Sequence, residues 1–353
     1  MNKRKTIEEY DALRLLVTIL VVVSHSGYYV LRSDYGGCDY GEYAQQMGIV
    51  YKGFMVIADM LYSFHMPLFM GMSGALYRVT TEKRGQGTWR DLLSAKFFRL
   101  MVPFLIVSLL YSVPIKYASQ YFLESENLVK DIVVGQLLLQ GNSHLWYLAT
   151  LFGIFGVFYW IAPLLSKKPW LVISIMYGAN FLGKYIKIHI ISYMMTYLLW
   201  FSLGYLFEGK RTLWNQKLSL KFEGASGVLF LILYCLDRYT AVGDFWLSHF
   251  LLSTLLVLTG SACIYCICLF ISGTSLKESG MYRTFLGVTL GIYLYSDPLN
   301  YLVLKCGISL LGTEIFTNNA CAAVFIMLRF ALTLMASLLI SLMLKRLKVK
   351  NLA

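Results

Sequence analysis

Residues 13–30 read LRLLVTILVVVSHSGYYV. The run is long and apolar enough to cross a bilayer, whose hydrocarbon core is about 30 Å thick and takes roughly 20 apolar residues of helix. Yet it carries Arg14 at one end and His25 well inside. On an α-helix those two side chains return to within roughly 20° of each other and stand about 16 Å apart along the axis. Asp11, three residues before Arg14, lies near the same face. Acid, guanidinium and imidazole therefore form a line running from one membrane surface toward the middle. An ionisable group at the depth of His25 is costly and usually lines a cavity or a pathway. Asp11 and Arg14 also admit a second reading, as headgroup anchors.

The rest of the chain is of the same kind. Of its 353 residues 58% are hydrophobic and only 14% charged, and the mean hydropathy is +0.62. Soluble domains have roughly a quarter of their residues charged, so this composition excludes them. Apolar runs fall near residues 13–31, 54–77, 98–115, 145–165, 170–186, 190–207, 225–239, 246–272, 284–304 and 318–343. The expected fold is an all-α integral membrane protein, a polytopic bundle of about ten transmembrane helices forming a single domain over residues 1–353. The fifth and seventh runs are short enough to be merged or re-entrant, and DIVVGQLLLQG at 131–141 suits an interfacial segment. No cleavable signal peptide is expected, because the first run holds a charge and lacks a small-residue cleavage site.

Lys and Arg are retained on the cytoplasmic side. With both termini inside, twenty-one of them collect in cytoplasmic segments, including Lys3, Arg4, Lys5 and Lys350, and eight lie outside; Arg14 and Arg329 fall within spans. The net charge of +12 is thus mainly a topology signal rather than a nucleic-acid surface, although a basic cytoplasmic rim also attracts an anionic co-substrate. Seven cysteines form no framework. Cys263, Cys266 and Cys268 sit inside one span without neighbouring His, which reads as helix packing and not as a metal site.

The second span, with YSFHMPLFMGMSGALYR at 62–78, repeats the anomaly of the first. In an antiparallel neighbour His65 lies within roughly 6 Å of the depth of His25. Pro67 interrupts the backbone ladder beside it, while Gly71, Ser73 and Gly74 permit close helix contact or a local opening.

These residues resemble the membrane acyltransferase family 3, which includes bacterial polysaccharide O-acetyltransferases. YDALRLL followed by VVVSHS is similar to its first-helix signature, FHMPLFMGMSGALY to its second and KFFRLMVP to its third. HLWYLATLFGIF and GIYLYSDPL are similar to its middle and late motifs. The resemblance covers nearly the whole chain, and the FHMP form is closest to the sugar O-acetylase branch. It implies that His25 and Arg14 are functional residues. Two positions depart from the pattern: Val17 stands where many members have a second basic residue, and Asp297 where many have histidine. Asp297 and Arg329 fall at comparable depth and are expected to form a buried ion pair, since an unpaired charge in hydrocarbon is costlier.

The resemblance further implies cytoplasmic acetyl-CoA as acyl donor, with no metal. Its phosphates need cations at the inner face, where Arg78, Lys96 and Arg99 lie at helix ends with Arg14 slightly deeper; ordinary positive-inside flanking is the alternative for each. Acyl transfer to a hydroxyl needs a base, a role suited to His25, with Asp11 and His65 as expected helpers. On the outer side Tyr28, Tyr29, Tyr35, Tyr40, Tyr43 and Tyr51 gather around the first loop with Asp34, Asp39 and Glu42. They suit either sugar stacking or an interfacial aromatic belt, and the belt is favoured. His144, Trp146 and Asp297 complete the candidate acceptor side. The expectation is a multi-pass O-acetyltransferase of the cell membrane, in contact with membrane lipids. It would move an acetyl group to a cell-surface or capsular polysaccharide, an exopolysaccharide or a lipid-linked glycan precursor. The competing class is a non-enzymatic exporter of a small acid or glycolipid, because intramembrane His, Arg and Asp also mark transport pathways.

Overall fold

A computed structural model describes residues 7–218, 220–349 and 352, without the side chains of Leu220 and Lys221. Lys3, Arg4, Lys5 and Lys350, which the topology expectation uses, lie outside the described residues. The main helices are α1 (Glu8–His25), α2 (Ile49–Tyr62), α3 (His65–Arg84), α4 (Trp89–Ala118), α5 (Trp146–Lys167) and α6 (Pro169–Gly183). They continue with α7 (His189–Glu208), α8 (Arg211–Lys217), α9 (Leu220–Tyr239), α10 (Trp246–Gly273), α11 (Thr289–Leu311) and α12 (Asn319–Arg346).

Each apolar run of the sequence falls on one of these helices, but they are not alike. Among the described residues six helices are long and apolar enough to cross a membrane: α2 and α3 taken together, α4, α5, α7, α10 and α12. The number rises to seven if α8 and α9 form one bent span. Short α6, α1 with Glu8, Glu9, Asp11 and Arg14, and α11 with Asp297 and Lys305 are not of this kind. The two interrupted regions have local causes. Pro67 sits in the first turn of α3, where the missing N–H is least felt, and the break falls before it at Ser63 and Phe64. In α4 the π-helical segments Phe97–Met101 and Ser108–Ser112 each precede a proline-containing turn, at Pro103 and Pro114.

The chain divides into two compact units, each assembled from three stretches. The first holds Met1–Leu20, Met60–Gln86 and Tyr197–Thr289. Within it α3 and α7 touch backbone to backbone: a Cβ at Gly204 would fall 1.8 Å from the Gly71 carbonyl oxygen, and one at Gly74 1.9 Å from that of Phe201. The small residues of the second motif therefore do make a close helix crossing. At the start of α1, Glu9 and Tyr10 reach Arg211 and Glu208, and Asn215 bridges Glu9 to Tyr265.

The second unit holds Val21–Asp59, Gly87–Thr196 and Leu290–Ala353. After α1 its chain forms an antiparallel hairpin of β1 (Val30–Ser33) and β2 (Gly36–Asp39), paired from Val30↔Asp39 to Ser33↔Gly36. Gly36 has φ +106°, which favours glycine, and a Cβ there would strike Tyr121. The Gly37 N–H bonds the Tyr121 carbonyl at 2.8 Å, pinning the hairpin down. Residues 131–137 of the expected interfacial segment form a π-helical turn, Asp131–Leu137, close against Tyr35 of this hairpin. Four of the outer-loop tyrosines share one packing partner. Tyr29, Tyr40, Tyr43 and Tyr51 pack their rings around buried Phe316, with centroids 5.0–6.4 Å away. Four amphipathic rings thus surround one apolar one, and the buried Tyr51 donates its hydroxyl to the Gly27 carbonyl at 3.0 Å.

Candidate active site

α11 is the element on which the polar interior of the second unit is built. It is mainly apolar, and Pro298 lies inside it. Proline has no N–H and leaves the carbonyl four residues back without its helical partner. Within a bilayer such a group must be satisfied from elsewhere. Here that carbonyl belongs to Leu294, and Nε2 of His144 donates to it at 3.0 Å. The Tyr293 hydroxyl donates to the His144 carbonyl at 2.7 Å, fixing the same residue from its backbone. Burial pushes the His144 imidazole down to about 4 against the opposing pull of Asp297. It is therefore neutral at physiological pH and carries its proton on Nε2.

Asp297, next to the proline, is 2% exposed. Its Oδ1 lies 2.8 Å from Nδ1 of His25, the last residue of α1. A carboxylate only accepts, so a hydrogen shared at this contact belongs to Nδ1, and in the neutral ring that tautomer has its lone pair on Nε2. Oδ2 of Asp297 stands 3.6 Å from Nδ1 of His144, beyond hydrogen-bond reach. The α1 terminus is held by Ser24 and Ser26, whose hydroxyls bond back to Val21 and Val22, and the Tyr28 ring lies 4.8 Å from that of His25.

The expected ion pair between Asp297 and Arg329 is not formed. Arg329, fully buried on α12, donates instead to Asn300 Oδ1 at 3.1 Å and to the Tyr28 carbonyl at 2.7 Å. Equal depth is not contact, and Asp297 is already engaged by His25. Lys116, one of the eight Lys and Arg assigned outside by sequence, is 1% exposed. Its ammonium donates to Gln136 Oε1 at 2.9 Å and to the Asn142 carbonyl, and lies 4.4 Å from the centre of the Tyr121 ring. Gln136 passes the network on to Ser143, beside His144.

A family model described as an acyltransferase domain, that of the acyltransferase 3 family, matches residues 7–346. The chain belongs to the acyltransferase 3 family. Neither a curated protein nor a solved structure matches it. It is a multi-pass membrane acyltransferase, and the match runs through both units, so each contributes to the family's domain.

Of the nine site residues named from the sequence of this acyltransferase, three come together: His25, His144 and Asp297. Asp11 and Arg14 lie in the first unit and pair with each other at 3.3 Å, with Arg14 still partly exposed. His65 is also there, and Nδ1 of its fully buried ring lies 2.6 Å from the Leu61 carbonyl at the break between α2 and α3. Arg78 reaches Glu82 at 2.7 Å and the Tyr205 carbonyl at 3.3 Å, bracing the end of α7. Arg99 is exposed on a π-helical segment of α4. Trp146 packs on Tyr193 with centroids 4.7 Å apart. Sequence reasoning missed Lys116, Gln136 and Asn300. The signal for Lys116 was a lone cation in the apolar stretch VPIKYA, two residues after a proline.

Proposed function

We propose that this acyltransferase moves an acetyl group from cytoplasmic acetyl-CoA to a hydroxyl of a cell-surface or capsular polysaccharide or its lipid-linked precursor, with His25 as general base. The contact between His25 and Asp297 carries the proposal. A buried carboxylate fixes the imidazole tautomer and stabilises the imidazolium that forms when Nε2 takes the hydroxyl proton. The acceptor oxygen then attacks the thioester carbonyl, and the departing CoA thiolate recovers the proton from Nε2. Asp297 is the carboxylate assigned to orient His25, because its Oδ1 lies 2.8 Å from Nδ1. Arg14 and Arg99 supply cations for the donor phosphates; Arg78, engaged by Glu82 and Tyr205, contributes less. Trp146 and His144 are assigned to the acceptor side.

The test is release of free CoA by purified protein in liposomes, with acetyl-CoA inside and candidate glycans outside, together with acetyl analysis of the glycan. Thiol release that depends on the glycan and on His25 supports the proposal. Protein that binds acetyl-CoA without ever releasing CoA overturns it and favours transport or simple binding.

A further inference from the structure

Arg329 is fully buried, and its two hydrogen-bonding partners are neutral: Asn300 Oδ1 receives Nε and the Tyr28 carbonyl receives Nη1. Among the described residues no carboxylate lies within ion-pair distance of it, and its Nη2 has no hydrogen-bond partner. A buried cation with no carboxylate in contact is costly; Asp297 acts on it only across space, the Tyr51 hydroxyl lies beside it, and none of its neutral contacts requires a guanidinium. The feature that does require one is a negative charge arriving from outside the protein.

Both anchors of Arg329 adjoin the catalytic pair. Tyr28 packs its ring on His25, and its carbonyl holds Nη1. Asn300 follows Asp297 by three residues on α11, about 4.5 Å further along the same helix. The two residues thus link the His25 imidazole and the Arg329 guanidinium by two separate routes, each through one intervening residue.

We propose that Arg329 is a catalytic residue whose Nη2 hydrogens bind the acyl carbonyl oxygen of the donor and stabilise the oxyanion formed there. The inference rests on the acetyl-CoA reading above. As the acceptor O–H gives its proton to Nε2 of His25, its oxygen bonds to the carbonyl carbon and the C=O π pair moves onto oxygen, facing Arg329. Collapse re-forms the C=O bond and breaks the carbon–sulfur bond, and the thiolate takes the proton from His25. Preorganised donors of this kind, placed where charge develops in a site shielded from water, supply large parts of catalytic rates.

The test compares the parent with Arg329→Gln and Arg329→Lys in liposomes, using acetyl-CoA, CoA and a CoA derivative carrying a tetrahedral anionic phosphonate in place of the acetyl carbonyl. The parent is expected to bind the phosphonate derivative at least about tenfold more tightly than CoA. Arg329→Gln should keep CoA affinity within about threefold and lose that preference, with kcat lowered by about 10²–10³, the range for one oxyanion donor. Arg329→Lys should recover part of both. The ratio of the two affinities does not depend on how much of a variant is folded. An Arg329→Gln variant that retains the preference, or turns over within about threefold of the parent, overturns the proposal alone. A parent that never releases CoA from acetyl-CoA overturns the donor reading and this proposal together.

Discussion

Asp297→Asn tests the centre of the site with the smallest change of shape. In the parent, Asp297 Oδ1 lies 2.8 Å from His25 Nδ1, and the carboxylate is shielded from water. When His25 becomes an imidazolium in the transition state, it faces a full negative charge. Opposite charges about 4 Å apart are worth ~4 kcal/mol at an effective dielectric of 20. Each 1.36 kcal/mol is tenfold in rate, so losing that attraction costs about three orders of magnitude. The amide offers a second way to fail. Turned with its NH₂ toward Nδ1, it would favour the tautomer with the hydrogen on Nε2, leaving no lone pair for the acceptor hydroxyl. The variant is expected to show kcat lowered by about 10³ and a KM for acetyl-CoA within about threefold, because the donor's phosphates do not meet Asp297. The assay is CoA thiol release in liposomes, normalised to folded protein. His25→Ala should lose at least as much, and the double variant no more than His25→Ala, since residues that act as a unit are not additive. An Asp297→Asn enzyme within threefold of the parent would refute the reasoning, as would losses that multiply in the double variant.

Pro298→Ala restores a backbone N–H aimed at the Leu294 carbonyl and so competes with His144. With about 0.5–1.5 kcal/mol at stake in that hydrogen bond, turnover should fall roughly threefold to tenfold while the melting temperature in detergent stays level or rises; a faster or less stable enzyme contradicts the role given to the proline. Lys116→Met leaves the Gln136 and Asn142 acceptors buried without a donor, a loss of about 1–3 kcal/mol to be read as a lowered melting temperature by tryptophan fluorescence. Arg14→Lys keeps the charge of a half-exposed side chain and loses its planar fork. It is expected to raise the KM for acetyl-CoA by about tenfold, as Arg14→Ala does, and parental kinetics would make Arg14 a topology charge.

The helices were legible because twenty apolar residues in a row leave little else to form, and the shortness of the fifth run was legible for the same reason. Of the candidate site, His25, His144 and Asp297 could be picked out singly but not in their pairing, and Lys116, Gln136 and Asn300 not at all. Spacing along α1 places Asp11, Arg14 and His25 on one face, yet the carboxylate that His25 meets comes from α11, in a sequence-distant part of the same unit. Likewise Arg329 meets Asn300 because Asp297 is engaged, and no count of depth along two helices contains that competition.

Depth alone also fails to separate a catalytic histidine from a structural one, and the five histidines show why. His65, His144 and His189 each direct a ring nitrogen to a backbone carbonyl, of Leu61, Leu294 and Leu139. In an apolar surrounding a carbonyl released by a break, a proline or a turn needs a donor, and neutral imidazole supplies one without burying a charge. Such histidines are explained by the backbone they serve. His25 and His249 instead meet carboxylates, Asp297 and Asp237. A carboxylate partner is costly to bury and is not needed to satisfy an imidazole N–H, so it calls for a reason beyond packing. His249 lies near the start of α10 with its side chain 38% exposed, and its carboxylate partner Asp237, although fully buried, also meets the Arg238 guanidinium at 3.6 Å. His25 has its carboxylate 3% exposed and its own side chain 12% exposed. There, among the described residues, neither solvent nor an Arg or Lys in ion-pair contact with Asp297 accounts for the pair, and the proton chemistry proposed for acyl transfer offers a reason.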